Sequence, residues 1–318
     1  MPSLAPLLSA FTPIWVLTAV GYLAGRTGLL GERAEDVLGR FVFLLAMPAA
    51  LFTLTARTPL GSFADVSLLA FAAGTVLASL LGVAVSRWVF GRRPAEQAIS
   101  GMAAGYVNSA NLGIPVAVQV LGDATFIAPV LLFQVLLVTP VVLATLEAGT
   151  AADGRRRGTP TARLLLLPLR NPVILGTALG SLVSAAGWQL PQAVRHSGEL
   201  LGGAGVPAAL IVLGMSLHGR PATGGAGLPA EIGASVLIKT LVQPLAAFTV
   251  GSLVLHLPAH QLLAVVVCSA LPTAQNVFIY ARQYELSTVL ARKSVLYSTL
   301  LSMGTLSAAT WALGTAPH

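Results

Sequence analysis

Ten runs of about 20 mostly apolar residues, joined by short linkers, constrain this chain more than any other feature. They cover 6–26, 37–56, 66–90, 98–121, 124–148, 171–189, 194–217, 230–256, 260–281 and 287–313. Each can cross a hydrocarbon layer as a helix, because a helix pairs its backbone N–H and C=O groups within the segment. Water could not solvate such a chain. Only 9% of residues are charged and mean hydropathy is +0.83, whereas a soluble domain carries about 25% charged residues. This balance excludes an ordinary soluble enzyme, a disordered chain and a nucleic-acid binder. The apolar residues are aliphatic, which suits helices better than an outer-membrane barrel. The expected fold class is an all-α polytopic membrane protein with ten transmembrane helices.

The basic residues give the orientation. Alternate loops carry Arg26, Arg33 and Arg40; Arg87, Arg92 and Arg93; Arg155, Arg156, Arg157, Arg163 and Arg170; Arg220; and Arg282, Arg292 and Lys293. The opposite loops carry only Arg57 and Arg195, and one cation, Lys239, lies inside a run. The basic loops therefore face the cytoplasm and both termini face out, across a bacterial inner membrane. The pI of about 10.3 reflects this bias and not a nucleic-acid partner. No basic residue precedes the first apolar run, so that run reads as a retained span and not as a cleavable signal peptide. The single cysteine, Cys268, lies in an apolar run and reads as a packing residue.

The longest polar linker, 150–170, separates a first five-helix unit, 1–149, from a second, 171–318. The two halves echo one another. Pro13, Thr18, Gly21 and Leu23 recur as Pro172, Thr177, Gly180 and Leu182, and Met47-Pro-Ala-Ala-Leu51 recurs as Val206-Pro-Ala-Ala-Leu210. Five spans per half is an odd number, so the second half enters the membrane from the opposite side. That is the inverted repeat of many secondary transporters.

Two runs make poor helices. Gly105-Tyr-Val-Asn-Ser-Ala-Asn-Leu-Gly-Ile-Pro115 places two glycines, two asparagines and a proline in mid-span. Its counterpart is Ser269-Ala-Leu-Pro-Thr-Ala-Gln-Asn276. Proline removes a donor and displaces the carbonyl four residues back. In lipid such a break persists only where it is buried in protein or lines a wet cavity. The fourth and ninth helices are therefore expected to be broken and to cross near the midplane. Half-helix N-termini would there offer N–H groups and a positive dipole end to an anion. Asn108, Asn111, Thr273, Gln275 and Asn276 are the candidates to orient its oxygens, with Gly113, Pro115 and Pro272 shaping the breaks.

Asn108-Ser-Ala-Asn-Leu-Gly-Ile-Pro115, followed by Gly122-Asp123, resembles the fourth-span motif of the auxin efflux carrier family. That family includes plant PIN proteins and bacterial malate and malonate permease-like carriers. Leu271-Pro-Thr-Ala-Gln-Asn276, followed by Ala281-Arg-Gln-Tyr284, resembles its ninth-span motif. The resemblance covers essentially the whole chain. It implies a scaffold half and a moving crossover half, substrate held at the two proline breaks, transport of small organic acid anions, and often a homodimer. The long central loop of many plant members is absent, which favours a compact bacterial-type carrier.

Lys239 lies about ten residues into the eighth span, where an ionisable group costs at least about 2.5 kcal/mol. It could neutralise a substrate carboxylate, stand where a coupling cation would bind, or pair with carbonyls freed at a helix end. The carboxylates fall at loops or span ends, with Glu147, Glu199 and Glu231 within a turn or so of an end. Neither broken segment carries one, so no sodium or proton site is evident, and a uniporter suffices. No metal or cofactor is expected, and no enzyme motif is present. Two other readings are a sodium- or proton-coupled symporter of the bile-acid-carrier type and a ligand sensor that does not transport.

Overall fold

The computed structural model describes residues 5–31, 33–57, 65–122, 126–152, 172–218 and 228–314. Most of the polar linker, with its arginines, and Asp123 and Arg220 lie outside these residues. The described chain is helical, and each of the ten apolar runs falls on helix. In chain order the elements are α1 Ala5–Thr27, α2 Ala34–Arg57, α3 Ser67–Trp88, α4 Pro94–Gly105, α5 Ile114–Leu121, α6 Ile127–Thr150, α7 Pro172–Ala185, α8 Gln192–Ser216, α9 Pro229–Val254, α10 Ala259–Ala270, α11 Asn276–Gln283 and α12 Thr288–Gly314. Among the described residues, α2, α3, α6, α8 and α9 are long and apolar enough to cross a membrane. The runs 98–121 and 260–281 are each interrupted, giving α4 and α5 in one and α10 and α11 in the other.

Prolines shape several of these helices. The backbone widens to a π-type turn at Val42–Ala46, Ser109–Gly113, Gln134–Val138 and Ile238–Val242. Each of these four turns ends two residues before a proline, namely Pro48, Pro115, Pro140 and Pro244, whereas a fifth such turn, Val250–Val254 in α9, has no proline at that place. The carbonyl four residues before each proline lies inside the widened turn. It can neither receive a bond from the proline nor keep its place against the ring, and the extra residue relieves the clash.

The helices pack as two bodies. In one, α1 lies along α8 and α2 along α7, with α8 closing on α2. In the other, α3 packs on α4, α9 and α10, α6 packs on α4, and α12 packs on α9, α10 and α11. Glycines bring the first body together. A methyl group at Gly21 of α1 would run into the carbonyl oxygen of Ile211 on α8, and one at Gly180 of α7 into that of Phe52 on α2. Gly21 and Gly180 are matched positions in the two halves, and so are Phe52 and Ile211. Without lipid-excluding apolar attraction, such close backbone approach is what holds membrane helices together. In the second body a buried carboxylate ties helix ends. Glu231 of α9, 4% exposed, accepts from Arg92 Nε at 2.8 Å and from the Ser86 and Ser100 hydroxyls, both at 3.1 Å.

Candidate functional site

The first break does not fall at Pro115. Helix α4 stops at Gly105; Tyr106 is extended, at φ −85° and ψ 110°, and Val107 follows into a tight turn at Asn108, where Ser109 N–H donates to the Val107 carbonyl. Pro115 instead lies within continuous helix, as the second residue of α5, which runs on from the turn at Ser109–Gly113. Its effect is the widened turn at Ser109–Gly113. In the second break Pro272 does sit in the interruption, between the end of α10 at Ala270 and the start of α11 at Asn276.

The two extended segments cross. Asn108 N–H donates to the Pro272 carbonyl at 2.8 Å, and Ala274 N–H donates to that of Tyr106 at 3.1 Å. Together they form an isolated antiparallel bridge between Val107 and Thr273. Each break thus satisfies part of the backbone freed by the other.

Side chains satisfy the rest. Lys239 is fully buried, and its Nζ donates to Gln243 Oε1 at 2.7 Å and to the Ser269 carbonyl at 3.0 Å, in the last turn of α10. Gln243 Nε2 donates to the Gly105 carbonyl, which ends α4, at 3.1 Å and to Thr75 Oγ1 at 3.0 Å. One Lys–Gln pair on α9 therefore joins the C-terminal ends of both half-helices, where the dipole is negative and a cation is favoured. Gln134 on α6 holds the other side. Its Nε2 donates to the Val107 carbonyl at 3.0 Å, and its Oε1 accepts from the Ser109 hydroxyl at 2.5 Å. Thr273 is clamped on both sides: its hydroxyl donates to the Ala103 carbonyl at 2.7 Å, and its N–H donates to Ser298 Oγ at 3.0 Å.

Beside the crossing lies a cavity of about 230 Å³, between the two bodies. Asn108, Asn111, Gln275 and Asn276 line it. Gly113, Pro272, Thr273 and Lys239 are not among its described lining residues. Gly113 packs against Ile127 and Leu271, and the other three build the crossing. Two polar wall residues were missed from the sequence, Tyr106 and Ser109. The Tyr106 hydroxyl lies 2.9 Å from Thr139 Oγ1. A tyrosine and a serine beside the two asparagines carry no distinct sequence signal, whereas amides beside a proline in mid-span do. The opposite wall is apolar and belongs to the first body, with Val42, Met47 and Leu51 from α2 and Val206 and Ala209 from α8.

Among the described residues, no Asp, Glu, Lys, Arg or His lines the cavity. Its polar character comes from dipoles, namely the amides, the Tyr106 hydroxyl and the N-terminus of α11 at Asn276. Gln275 is 3% exposed, and its Oε1 has no hydrogen-bond partner. Rotation of that carboxamide can present either its oxygen or its NH₂ to a ligand. Of the carboxylates near span ends, Glu147 is buried and accepts from Tyr284 OH at 3.1 Å, and Glu199 pairs with Arg57. Among the described residues, no group of three His, Cys, Asp or Glu is placed to hold a metal ion.

A family model described as "Membrane transport protein" matches residues 6–310. A Rhizobium meliloti (strain 1021) protein named "Putative malonate transporter" is 28% identical over 308 residues, covering 96% of this chain and 95% of the relative. The Escherichia coli (strain K12) "Uncharacterized transporter YfdV" is 27% identical, covering 91% of each chain. The Methanocaldococcus jannaschii "Uncharacterized transporter MJ1031" is 23% identical, covering 94% of this chain and 96% of the relative.

Proposed function

Since this chain belongs to the membrane transport protein family, matched over residues 6–310, and is a multi-pass membrane protein, we propose that it carries small organic acid anions by alternating access. The anion binds in the cavity between the two bodies, and the body that holds the crossing moves against the body built on α2 and α8. One observation carries this reading. The polar wall of the cavity comes from the crossing of two broken helices, and the apolar wall comes from the other body. A relative displacement of the bodies would therefore expose the same site to either side.

Ten crossings in a five-plus-five inverted repeat complete the proposal. The glycine contacts support it, because Gly21 meets Ile211 as Gly180 meets Phe52, at matched positions of the two halves. The basic loops favour a cytoplasmic location for the linker at 150–170 and external termini in a bacterial inner membrane. Substrate contacts fall to Asn108, Asn111, Gln275 and Asn276, with Gly113, Pro115, Pro272 and Thr273 forming the scaffold. Lys239 acts as a fixed cation that holds both half-helix ends, in place of a coupling ion, so transport is uniport. For one negative charge, 100 mV supplies about 2.3 kcal/mol, enough to drive export from a negative-inside cell.

One test comes first. Purified protein in proteoliposomes should take up labelled organic acids, malonate and a larger apolar-bodied monocarboxylate among them, under an imposed potential without a sodium or pH gradient. Uptake that needs sodium or protons would overturn the uniport assignment, and no uptake of any organic acid would overturn the substrate class.

A further inference from the structure

At the N-terminal end of α2, contacts reach across the two bodies. Arg282, at the end of α11, pairs with Glu35 and with Asp36, at 2.6 Å for the latter, both in the first turn of α2. Arg292 in α12 donates to the carbonyl of Ser216, the last residue of α8. Near these bonds in sequence, Phe43 of α2 stands edge-on to Tyr280 at 5.7 Å and to Tyr284 at 6.4 Å. Phe43 and Tyr280 are buried, and the cavity wall begins one residue away at Val42. At the other end, Arg57 pairs with Glu199, a contact from α2 to α8 within one body.

The fit around Arg282 is specific. The side chain runs over Gly39, where a Cβ would sit 3.1 Å from Nε and 3.2 Å from Cδ. The turn after α11 is held in an unusual form, with Glu285 and Ser287 at φ 54° and 45°. The Ser287 hydroxyl reaches Glu96 at 3.4 Å.

We infer that the Arg282–Glu35/Asp36 contact is a latch that closes the cavity at the basic, cytoplasmic end and so sets the balance between outward- and inward-facing states. This rests on the alternating-access reading. Arg282 is a positioning residue and touches no substrate. Partly exposed ion pairs are individually weak, which suits a contact that must break in every cycle, since a latch can bias two states only by its differential strength between them.

The test uses the full chain in membranes and a thiol placed on the cavity wall by Ala50→Cys. The native Cys268 is fully buried, so it adds little background. An impermeant thiol reagent is applied to intact cells and to inverted vesicles. Arg282→Gln should slow labelling from outside and speed it from inside, each by at least about threefold. Gly39→Leu, which displaces the arginine without altering any charge, should shift labelling the same way. Arg282→Glu combined with Glu35→Lys and Asp36→Lys should restore the native pattern. Unchanged sidedness in both single variants, or failure of the charge swap to restore it, overturns the latch. Protection of the introduced thiol by added organic acid, in the otherwise native protein, is a separate readout. Its absence would count against the anion reading while leaving the latch to be judged on sidedness alone.

Discussion

At the scale of single residues, the polar groups around the two helix breaks divide into those that build the crossing and those that face the cavity. Thr273 belongs to the first set, because its hydroxyl is spent on the Ala103 carbonyl. Thr273→Val keeps the shape and removes that bond, leaving a buried carbonyl unpaired at a cost of about 1–3 kcal/mol. The variant should melt earlier in detergent and, once folded, bind substrate with nearly native affinity. A selective loss of binding at unchanged stability would place Thr273 in the site instead. Lys239 is the sharper case. Lys239→Met removes the cation that joins Gln243 to the Ser269 carbonyl, and it should cut transport at least tenfold while also lowering thermal stability. Sodium-dependent transport appearing in Lys239→Gln would support the fixed-cation role directly. The sequence placed this lysine at depth but left three roles open, since nothing in a linear chain says which carbonyl an ammonium will meet. It likewise marked Asn108, Asn111, Thr273, Gln275 and Asn276 as one group, because polar side chains beside a proline in an apolar run are too expensive to be incidental, but it did not separate Thr273, which builds the crossing, from the four amides that line the cavity.

At the scale of elements, the recurring device is a proline that widens the preceding turn. Four such turns carry Val42, Ser109, Gln134 and Lys239, each lining the cavity or bracing the crossing. Pro140→Ala should let α6 return to regular geometry and turn Gln134 away from Val107. The expected result is transport reduced severalfold with thermal stability not lowered, read by uptake rate against melting temperature. A drop in stability with native transport would mean that Pro140 only fits the packing. The prolines were visible in the sequence, and their local effect follows from their missing N–H. The place of the first break was not. Pro115 drew attention as the strongest helix breaker in that run, yet the chain leaves the helix at Tyr106, where the second broken segment donates Ala274 N–H to the Tyr106 carbonyl and offers the Pro272 carbonyl to Asn108 N–H. That partner lies more than 160 residues along the chain, and periodicity reads only neighbours.

At the scale of the molecule, the proposed transport rests on a seam. One body is fastened by glycine contacts and the other by the crossing and by the Glu231 cluster, and the cavity lies between them. The apolar runs made a multi-pass membrane protein legible, whereas the echoing halves did not mark the two bodies, each of which draws helices from both halves. The pairing of Arg282 with residues 35 and 36 was not, because each lies among ordinary loop charges. If the first body is a rigid support, Gly180→Leu should break it by prising α7 from α2, giving protein that aggregates on extraction, whereas Leu182→Ala on the exposed face of α7 should be well tolerated. Equal tolerance of both would argue against tight glycine packing. Everything turns on whether an organic anion is held by the amides of the crossing. The decisive experiment is equilibrium binding of the transported acid to purified protein and to the Asn111→Ala and Asn276→Ala variants, with thermal unfolding as the control for folding. Saturable binding to the native protein is expected, with its loss, by at least about tenfold in affinity, in each folded variant. Native affinity in both variants would refute that assignment and move the site away from the crossing.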